Sequence, residues 1–227
     1  LFSKLILWII KNDWRSGRMK IKLNNVSKTI KNQKILDNIN AEFESGKVYG
    51  IVGRNGSGKT MLFRGMSGLM RIEGEVWQDE MLLGRDMRIL KNLGIIIENT
   101  DMYLEFSGYM NLKFLADINK KIGKKEIRQA MKDVGLNPDE KKSVGKYSLG
   151  MRQKLSIAQA IMEKPDVLLL DEPTNGLDDK TVKDFWELIR REKKRGAVIL
   201  LASHSKDDIR ELADEIYHMN SGVLTKE

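Results

Sequence analysis

Gly53-Arg54-Asn55-Gly56-Ser57-Gly58-Lys59-Thr60 reads G-x-x-x-x-G-K-T, the pattern of a phosphate-binding loop with one more glycine inside it. Lys47–Val52 ahead of it reads as a buried strand. Leu62, Phe63, Met66 and Leu69 behind it recur at helical spacing. Strand, glycine loop and helix is the context the motif needs. Glycines let backbone N–H groups turn inward and close on phosphate oxygens. The helix N-terminus adds unpaired donors and partial positive charge. In this reading Gly53, Arg54, Asn55, Gly56, Ser57, Gly58, Lys59, Thr60 and Met61 hold the phosphates of a nucleotide. Lys59 reaches the β- and γ-phosphates, and the Thr60 hydroxyl binds Mg²⁺.

A second signal lies further along. Val167-Leu168-Leu169-Leu170 is an unbroken apolar run, the mark of a strand buried on both faces, and Asp171-Glu172-Pro173 follows at once. An acidic pair after a strand has a bland explanation as a turn or cap. Beside a phosphate loop it has a chemical one. Asp171 then holds Mg²⁺, directly or through water, and Glu172 polarises the attacking water as general base. Ala197–Ala202 is another buried strand, ending at Ser203-His204. The loop, the acidic pair and His204 all fall at C-terminal strand ends, where open α/β sheets bind ligands.

Around these segments the chain alternates strand and helix, which argues for a parallel α/β sheet. Met19 to about Trp77 reads as a β-rich lobe. Ile21 and Leu23 alternate with lysines, Ile35–Ile39 and Ala41–Phe43 are further strands, and Gly74–Trp77 reads as a short edge strand. Leu93–Ile97 reads as a buried strand ending at Glu98. Residues from about 99 to 163 read as a helical insert. Asn111–Ile118 and Lys125–Val134 carry helical spacing, and Ser148 is a plausible N-cap for a third helix with Leu155, Ala158 and Met162 inward. Val182, Phe185, Trp186 and Ile189 mark another helix. The chain closes with a helix around Ile209–Ala213 and a hairpin at Asn220-Ser221-Gly222.

The 227 residues fit one domain with a subdomain. The absence of Cys excludes a disulfide framework. No apolar run spans a bilayer, so a membrane role needs a partner. The net charge of +8 admits nucleic acid or anionic lipid, but the lysines are scattered, which favours a solvated basic surface. Residues 1–18 form an extension in which Phe2, Leu5, Ile6 and Ile9 give a short amphipathic pattern followed by Lys11, Arg15 and Arg18. A membrane-surface helix is one reading. The preferred one places the natural start at Met19, with upstream residues encoded by purine-rich codons that resemble a ribosome-binding site. The mass of the native product decides between them.

Taken together, the chain resembles the nucleotide-binding subunits of ABC transporters. Ser148-Leu149-Gly150-Met151 resembles the family signature L-S-G-G-Q. Asp171-Glu172-Pro173 looks like the Walker B strand end, Asn175-Gly176-Leu177-Asp178 is similar to the D-loop, and His204 to the switch histidine. Glu98 falls where the family usually carries a glutamine. The elements occur in family order over residues 19–227. The resemblance implies a P-loop NTPase core with a mainly parallel sheet, an N-terminal antiparallel β-subdomain and a helical subdomain. It implies an ATPase with ATP and Mg²⁺ as ligands. Lys59, Glu172 and His204 would then be the catalytic groups, and Thr60, Asp171 and Glu98 would face the metal. It also implies a head-to-tail dimer, with a second copy or a homologous subunit, in which Ser148–Met151 and Asp178 complete the partner's site. A transmembrane permease subunit would hold the cassette at the cytoplasmic face of the cell membrane, with no direct contact to nucleic acid. Glu98-Asn99, Tyr103 and the Tyr147–Met151 stretch look most like the subgroup linked to export of bacteriocins, lantibiotics and bacitracin-like peptides.

Three departures stand out. Leu149 and Met151 replace a glycine and the glutamine of the signature, and Glu98 replaces a neutral amide with an acid. The family also stacks adenine on an aromatic residue some twenty positions before the loop. Counting back lands on Ile30, and no aromatic residue lies between Trp14 and Phe43. Ile30 is therefore the expected, weak, base contact. The alternative function is a soluble ABC-type ATPase acting on nucleic acid or ribosomes. Such relatives usually carry two nucleotide domains or a long coiled coil before the signature, and this chain has one phosphate loop and a short insert. A non-hydrolysing nucleotide sensor is a third class, which Glu172 argues against.

Overall fold

A computed structural model describes residues 19–97 and 102–227. The expectations about the chain's start and about Glu98 lie outside the described residues. Strand β1 (Lys20–Ile30) turns through Lys31-Asn32, both at positive φ (48° and 63°), into β2 (Gln33–Glu44). Positive φ at both central residues is what a tight, strand-matched hairpin requires, and Asn tolerates it. Ile35–Ile39 and Ala41–Phe43, read separately from the sequence, are one strand. Its register against β1 shifts more than once and Asn38 sits at φ 48°. Strands β4 (Glu73–Gln78) and β5 (Met81–Leu82) complete an antiparallel sheet of order β2-β1-β4-β5. The expected edge strand at Gly74–Trp77 is thus an inner strand. Two residues of β5 cover its far side, pairing Trp77 with Leu82 and Gln78 with Met81.

The second sheet runs β10-β9-β3-β8-β7-β6. Its strands are β3 (Lys47–Val52), β6 (Leu93–Ile96), β7 (Val167–Asp171), β8 (Val198–Ala202), β9 (Glu215–Asn220) and β10 (Val223–Lys226). All neighbours pair parallel except the β9–β10 hairpin. Every residue of β7 and β8 is buried, as their unbroken apolar runs require. Because successive side chains alternate faces, each run feeds two cores. Leu168, Leu170, Ile199 and Leu201 join the core under the helical insert, while Val167, Leu169, Val198 and Leu200 join the core beneath the antiparallel sheet. Phe43, Tyr49 and Tyr217 tie the two sheets together, with ring centroids 4.9 to 6.2 Å apart. Such aromatic pairs contribute about 0.5–1.5 kcal/mol each beyond the area they bury.

Helix α1 (Lys59–Ser67) follows β3 and ends at Gly68, whose φ of 90° suits only glycine without strain. Leu69 therefore lies past the helix and is exposed, against the helical spacing read for it; Leu62, Phe63 and Met66 are fully buried. The insert holds α2 (Gly108–Asn119), α3 (Lys124–Asp133) and α4 (Leu149–Ile161), with a 3₁₀ turn at Val144–Lys146. Ile127, Ala130, Met131 and Val134 are buried as their spacing predicts, and so are Leu155, Ala158 and Met162. Helices α5 (Asp179–Arg195) and α6 (Lys206–Leu212) flank β8 in sequence. Parallel register sets the site. Asp171 pairs with Ala202 and Ile51 also pairs with Ala202. The C-terminal ends of β3, β8 and β7 are level, and the three loops leaving them emerge side by side.

Candidate functional site

The loop 53–58 joins β3 to α1 as a close-packed arch. Ser57 N–H donates to the Arg54 carbonyl at 3.1 Å, and Gly222 N–H of the β9–β10 hairpin donates to the Ser57 carbonyl at 3.0 Å. A Cβ at Gly53 would lie 2.3 Å from the Met219 carbonyl oxygen, and one at Gly58 would lie 2.7 Å from the Met219 methyl. Gly58 also sits at φ 113°, so glycine is required there twice over. Lys59, 6% exposed, folds over the arch and donates to the carbonyls of Gly53 and Arg54 at 2.8 and 3.4 Å. The Ser57 hydroxyl is buried without a hydrogen-bond partner.

In front of the arch lies a cleft of about 520 Å³. That is the size of a small-molecule pocket. Asn55, Gly56, Gly58, Lys59, Thr60 and Met61 form one wall. Asp171, Glu172, Asn175 and Ile35 complete its lining. The Thr60 hydroxyl donates directly to the Asp171 carboxylate, joining the start of α1 to the end of β7. Among the described residues no group of three or more His, Cys, Asp or Glu could hold a metal ion. Mg²⁺ is usually held by only one or two protein oxygens, with phosphates and water filling its octahedron. A hydroxyl and a carboxylate already in contact, both hard oxygens, fit that donor set.

Glu172 stands at φ 49°, a left-handed conformation rare for a residue with a side chain. Its N–H donates to the Ala202 carbonyl at 2.8 Å, which fixes the turn against β8. One carboxylate oxygen meets His204 Nδ1 at 2.7 Å and the His204 backbone N–H at 3.3 Å. The other oxygen is buried with no partner. Strain of this kind costs of order 1–3 kcal/mol and persists where the surroundings over-determine it. Here it aims an incompletely paired carboxylate along the cleft wall. Lys59 and Glu172, read from the sequence as catalytic, thus share this corner of the cleft with Thr60 and Asp171, and His204, which does not itself line it, joins through Glu172.

The signature residues lie apart from that corner. Ser148 caps α4, accepting from Met151 N–H at 3.2 Å, and is itself exposed. Leu149 is 64% exposed and leans on the D-loop: a Cβ at Gly176 would lie 2.8 Å from its methyl. Gln153 donates to the Pro173 carbonyl at 2.7 Å. Tyr147 is buried behind the turn, and that burial pushes its phenol up. Asp178 caps α5, accepting from Thr181 N–H at 2.9 Å, and this backbone donor holds its carboxyl below the ordinary range. Gly150 packs at the same place, its Cβ position 3.0 Å from the Gly176 carbonyl oxygen, and Met151 is half-buried.

Ile30, the expected base contact, sits at the hairpin end of β1, 39% exposed, and does not line the cleft. Ile35 does. Counting back along the chain ignores the fold-back at Lys31-Asn32, which returns β2 past the loop. Asn175 is a second cleft residue not singled out by itself. Its signal was its place three residues after Glu172.

An ABC transporter family model matches residues 36–175, more than half of the chain. The chain belongs to the ABC transporter family. It is an ATP-binding subunit of that class, an ATPase cassette. It is 45% identical to an uncharacterized ABC transporter ATP-binding protein of Bacillus subtilis (strain 168), YybJ, over 90% of this chain and 94% of that protein. It is 36% identical to the bacitracin transport ATP-binding protein BcrA of Bacillus licheniformis, over 91% of this chain and 69% of that one. Among solved structures it is similar to the dimeric structure of the ABC transporter cassette MJ0796, with a TM-score of 0.82, 25% identity, and 91% and 97% of the two chains covered. These likenesses bear out the P-loop fold with its antiparallel and helical parts, and they give no support to an ATPase acting on nucleic acid or ribosomes. Among the described residues no helix is long and apolar enough to cross a membrane.

Proposed function

We propose that this cassette hydrolyses ATP to power export of a peptide-like cargo through a separate membrane-spanning permease. It would lie peripherally on the cytoplasmic membrane face and work as a head-to-tail dimer with a second copy or a homologous subunit. The observation that carries the reading is Glu172 on the wall of the phosphate cleft, with His204 Nδ1 held 2.7 Å from its carboxylate. The arch and Lys59 cradle the β- and γ-phosphates. Thr60 and Asp171 would hold Mg²⁺, which when bound neutralises phosphate charge. Glu172 accepts the proton of the water that attacks the γ-phosphorus, and His204 keeps its carboxylate turned toward that water. ADP leaves with the electron pair of the broken P–O bond. Ser148 and the N-terminus of α4, exposed in one chain, would close on the γ-phosphate bound by the partner.

The permease contact is assigned to Tyr103, Leu104 and Phe106, which are 61, 52 and 42% exposed. Tyr103, Phe106 and Phe114 pack edge-to-face, with centroids 5.1 to 6.3 Å apart, so the exposed rings form one apolar cluster. An apolar cluster of this kind on a surface marks a binding site. Detergent extraction of the tagged native protein should co-purify a polytopic membrane protein. Tyr103→Asp should abolish transport in cells while basal ATPase of the purified cassette persists. Unchanged transport would reject the docking role, and recovery with ribosomes or DNA would reject export.

A further inference from the structure

Asp208 is a carboxylate with no solvent exposure at all, on the first turn of α6. It touches neither nucleotide cleft nor cation, yet three donors converge on it. Thr174 Oγ1 donates at 2.6 Å and Ser203 Oγ at 3.0 Å, both to one oxygen, and Trp186 Nε1 donates at 2.8 Å to the other. The donors come from three segments. Thr174 is two residues after Glu172, Ser203 is the residue before His204, and Trp186 is on α5. Ser203 Oγ also accepts from Ser205 N–H at 3.0 Å, and Ser205 Oγ caps α6 by accepting from Asp208 N–H at 3.3 Å. The polar groups named here are thus mutually satisfied.

These bonds close a ring. Going round, it passes from Glu172 through Pro173 to Thr174, across to Asp208, across to Ser203, on to His204, and back to Glu172 through the 2.7 Å contact. The side of the ring opposite the reacting carboxylate is made by Asp208 alone. A buried carboxylate without a countercharge is costly unless several donors reach it. Three do, and two of them belong to the turns that carry Glu172 and His204. The cost of removing the carboxylate then falls on those turns, since two hydroxyls lose a common acceptor and the strained φ of Glu172 loses a support.

We propose that Asp208 is a positioning residue for hydrolysis, holding the Glu172 turn and the His204 turn in register without contacting nucleotide. The inference rests on the assignment of Glu172 as base. Its test compares substitutions that each remove one bond to the same buried group. Thr174→Val, on the ring, should lower kcat tenfold or more with KM for ATP changed less than about twofold; Asp208→Asn should do the same. Trp186→Phe, off the ring, removes an equivalent bond and should lower Tm by a similar amount while leaving kcat within about twofold. Combining Thr174→Val with His204→Ala should cost little beyond the larger single effect, because both act on the same carboxylate. If Asp208→Asn fails to fold, Thr174→Val against Trp186→Phe still decides. Equal kcat losses in those two, or fully multiplicative losses in the double variant, would reduce Asp208 to a structural residue. Glu172→Gln is run beside them. Normal turnover there rejects the base assignment itself, whereas its expected loss together with a normal kcat in Thr174→Val overturns the positioning role alone.

Discussion

The two ends of the nucleotide machinery are built in opposite ways. At the phosphate end Lys59, Ser57 and Asp171 are 6, 8 and 7% exposed, and Lys59, Thr60 and Glu172 are held by hydrogen bonds from neighbouring strands and loops. At the signature end Ser148 and Leu149 are exposed, supported from behind by Tyr147, the D-loop and Gln153, with their outer side open. One end is a finished cradle and the other is a finished edge. The difference fits the proposed dimer, in which a single chain is preorganised for binding but not for closing the site. Preorganised polar groups are what accelerate charge-separating chemistry, so on that proposal each chain would contribute one half.

The largest test of that contrast strikes the cradle. Glu172→Gln should remove most turnover, about 10²–10⁴-fold for loss of a general base, and leave nucleotide affinity near wild type. It should also trap an ATP-bound dimer visible by gel filtration. Next, Lys59→Ala removes charge-assisted bonds worth about 1.5–3 kcal/mol and should weaken ATP binding roughly tenfold to a hundredfold. Ser148→Arg should leave binding by the monomer unchanged and still abolish turnover. Mixing Lys59→Ala with Ser148→Arg chains should raise turnover to partial activity, because each heterodimer keeps one cradle and one edge intact. Persistent inactivity of the mixture, or turnover strictly linear in protein concentration, would break the comparison. The smallest effect belongs to the base. Ile35→Tyr should tighten ATP and GTP alike by several-fold, since aromatic stacking on a base is worth about 1–3 kcal/mol. Ile30→Tyr should do less, and a nucleotide titration in which Ile30→Tyr gained more would move the base to the hairpin end.

How much of this was legible in the sequence depended on whether a feature is local. The phosphate loop, the Asp171-Glu172 pair and His204 each end a run of buried strand residues, and short-range pattern suffices to find them. Ser148 and Asp178 announce themselves as caps for the same reason. Ile35 was missed because its place in the cleft depends on hairpin register, a matter of pairing between residues rather than of spacing along the chain. Leu69 kept the helical spacing, but Gly68 had already ended α1. Asp208 was invisible in another way. Asp207-Asp208 opens a short helix and reads as a solvated acidic turn, and only the packed structure shows that the second of the pair is the buried one.

The β9–β10 hairpin that backs the phosphate arch has a consequence for synthesis. Gly53 and Met219 meet from positions far apart in the sequence, and Gly222 N–H completes the arch from a position 165 residues after Ser57. At about 5–20 residues per second a ribosome takes roughly ten to thirty seconds to make that interval. Throughout it the nascent chain carries the nucleotide motif without its back wall. The backing of the phosphate arch therefore forms only after that interval, and a fragment ending before β9 would carry the motif without the Met219 and Gly222 contacts that pack behind it.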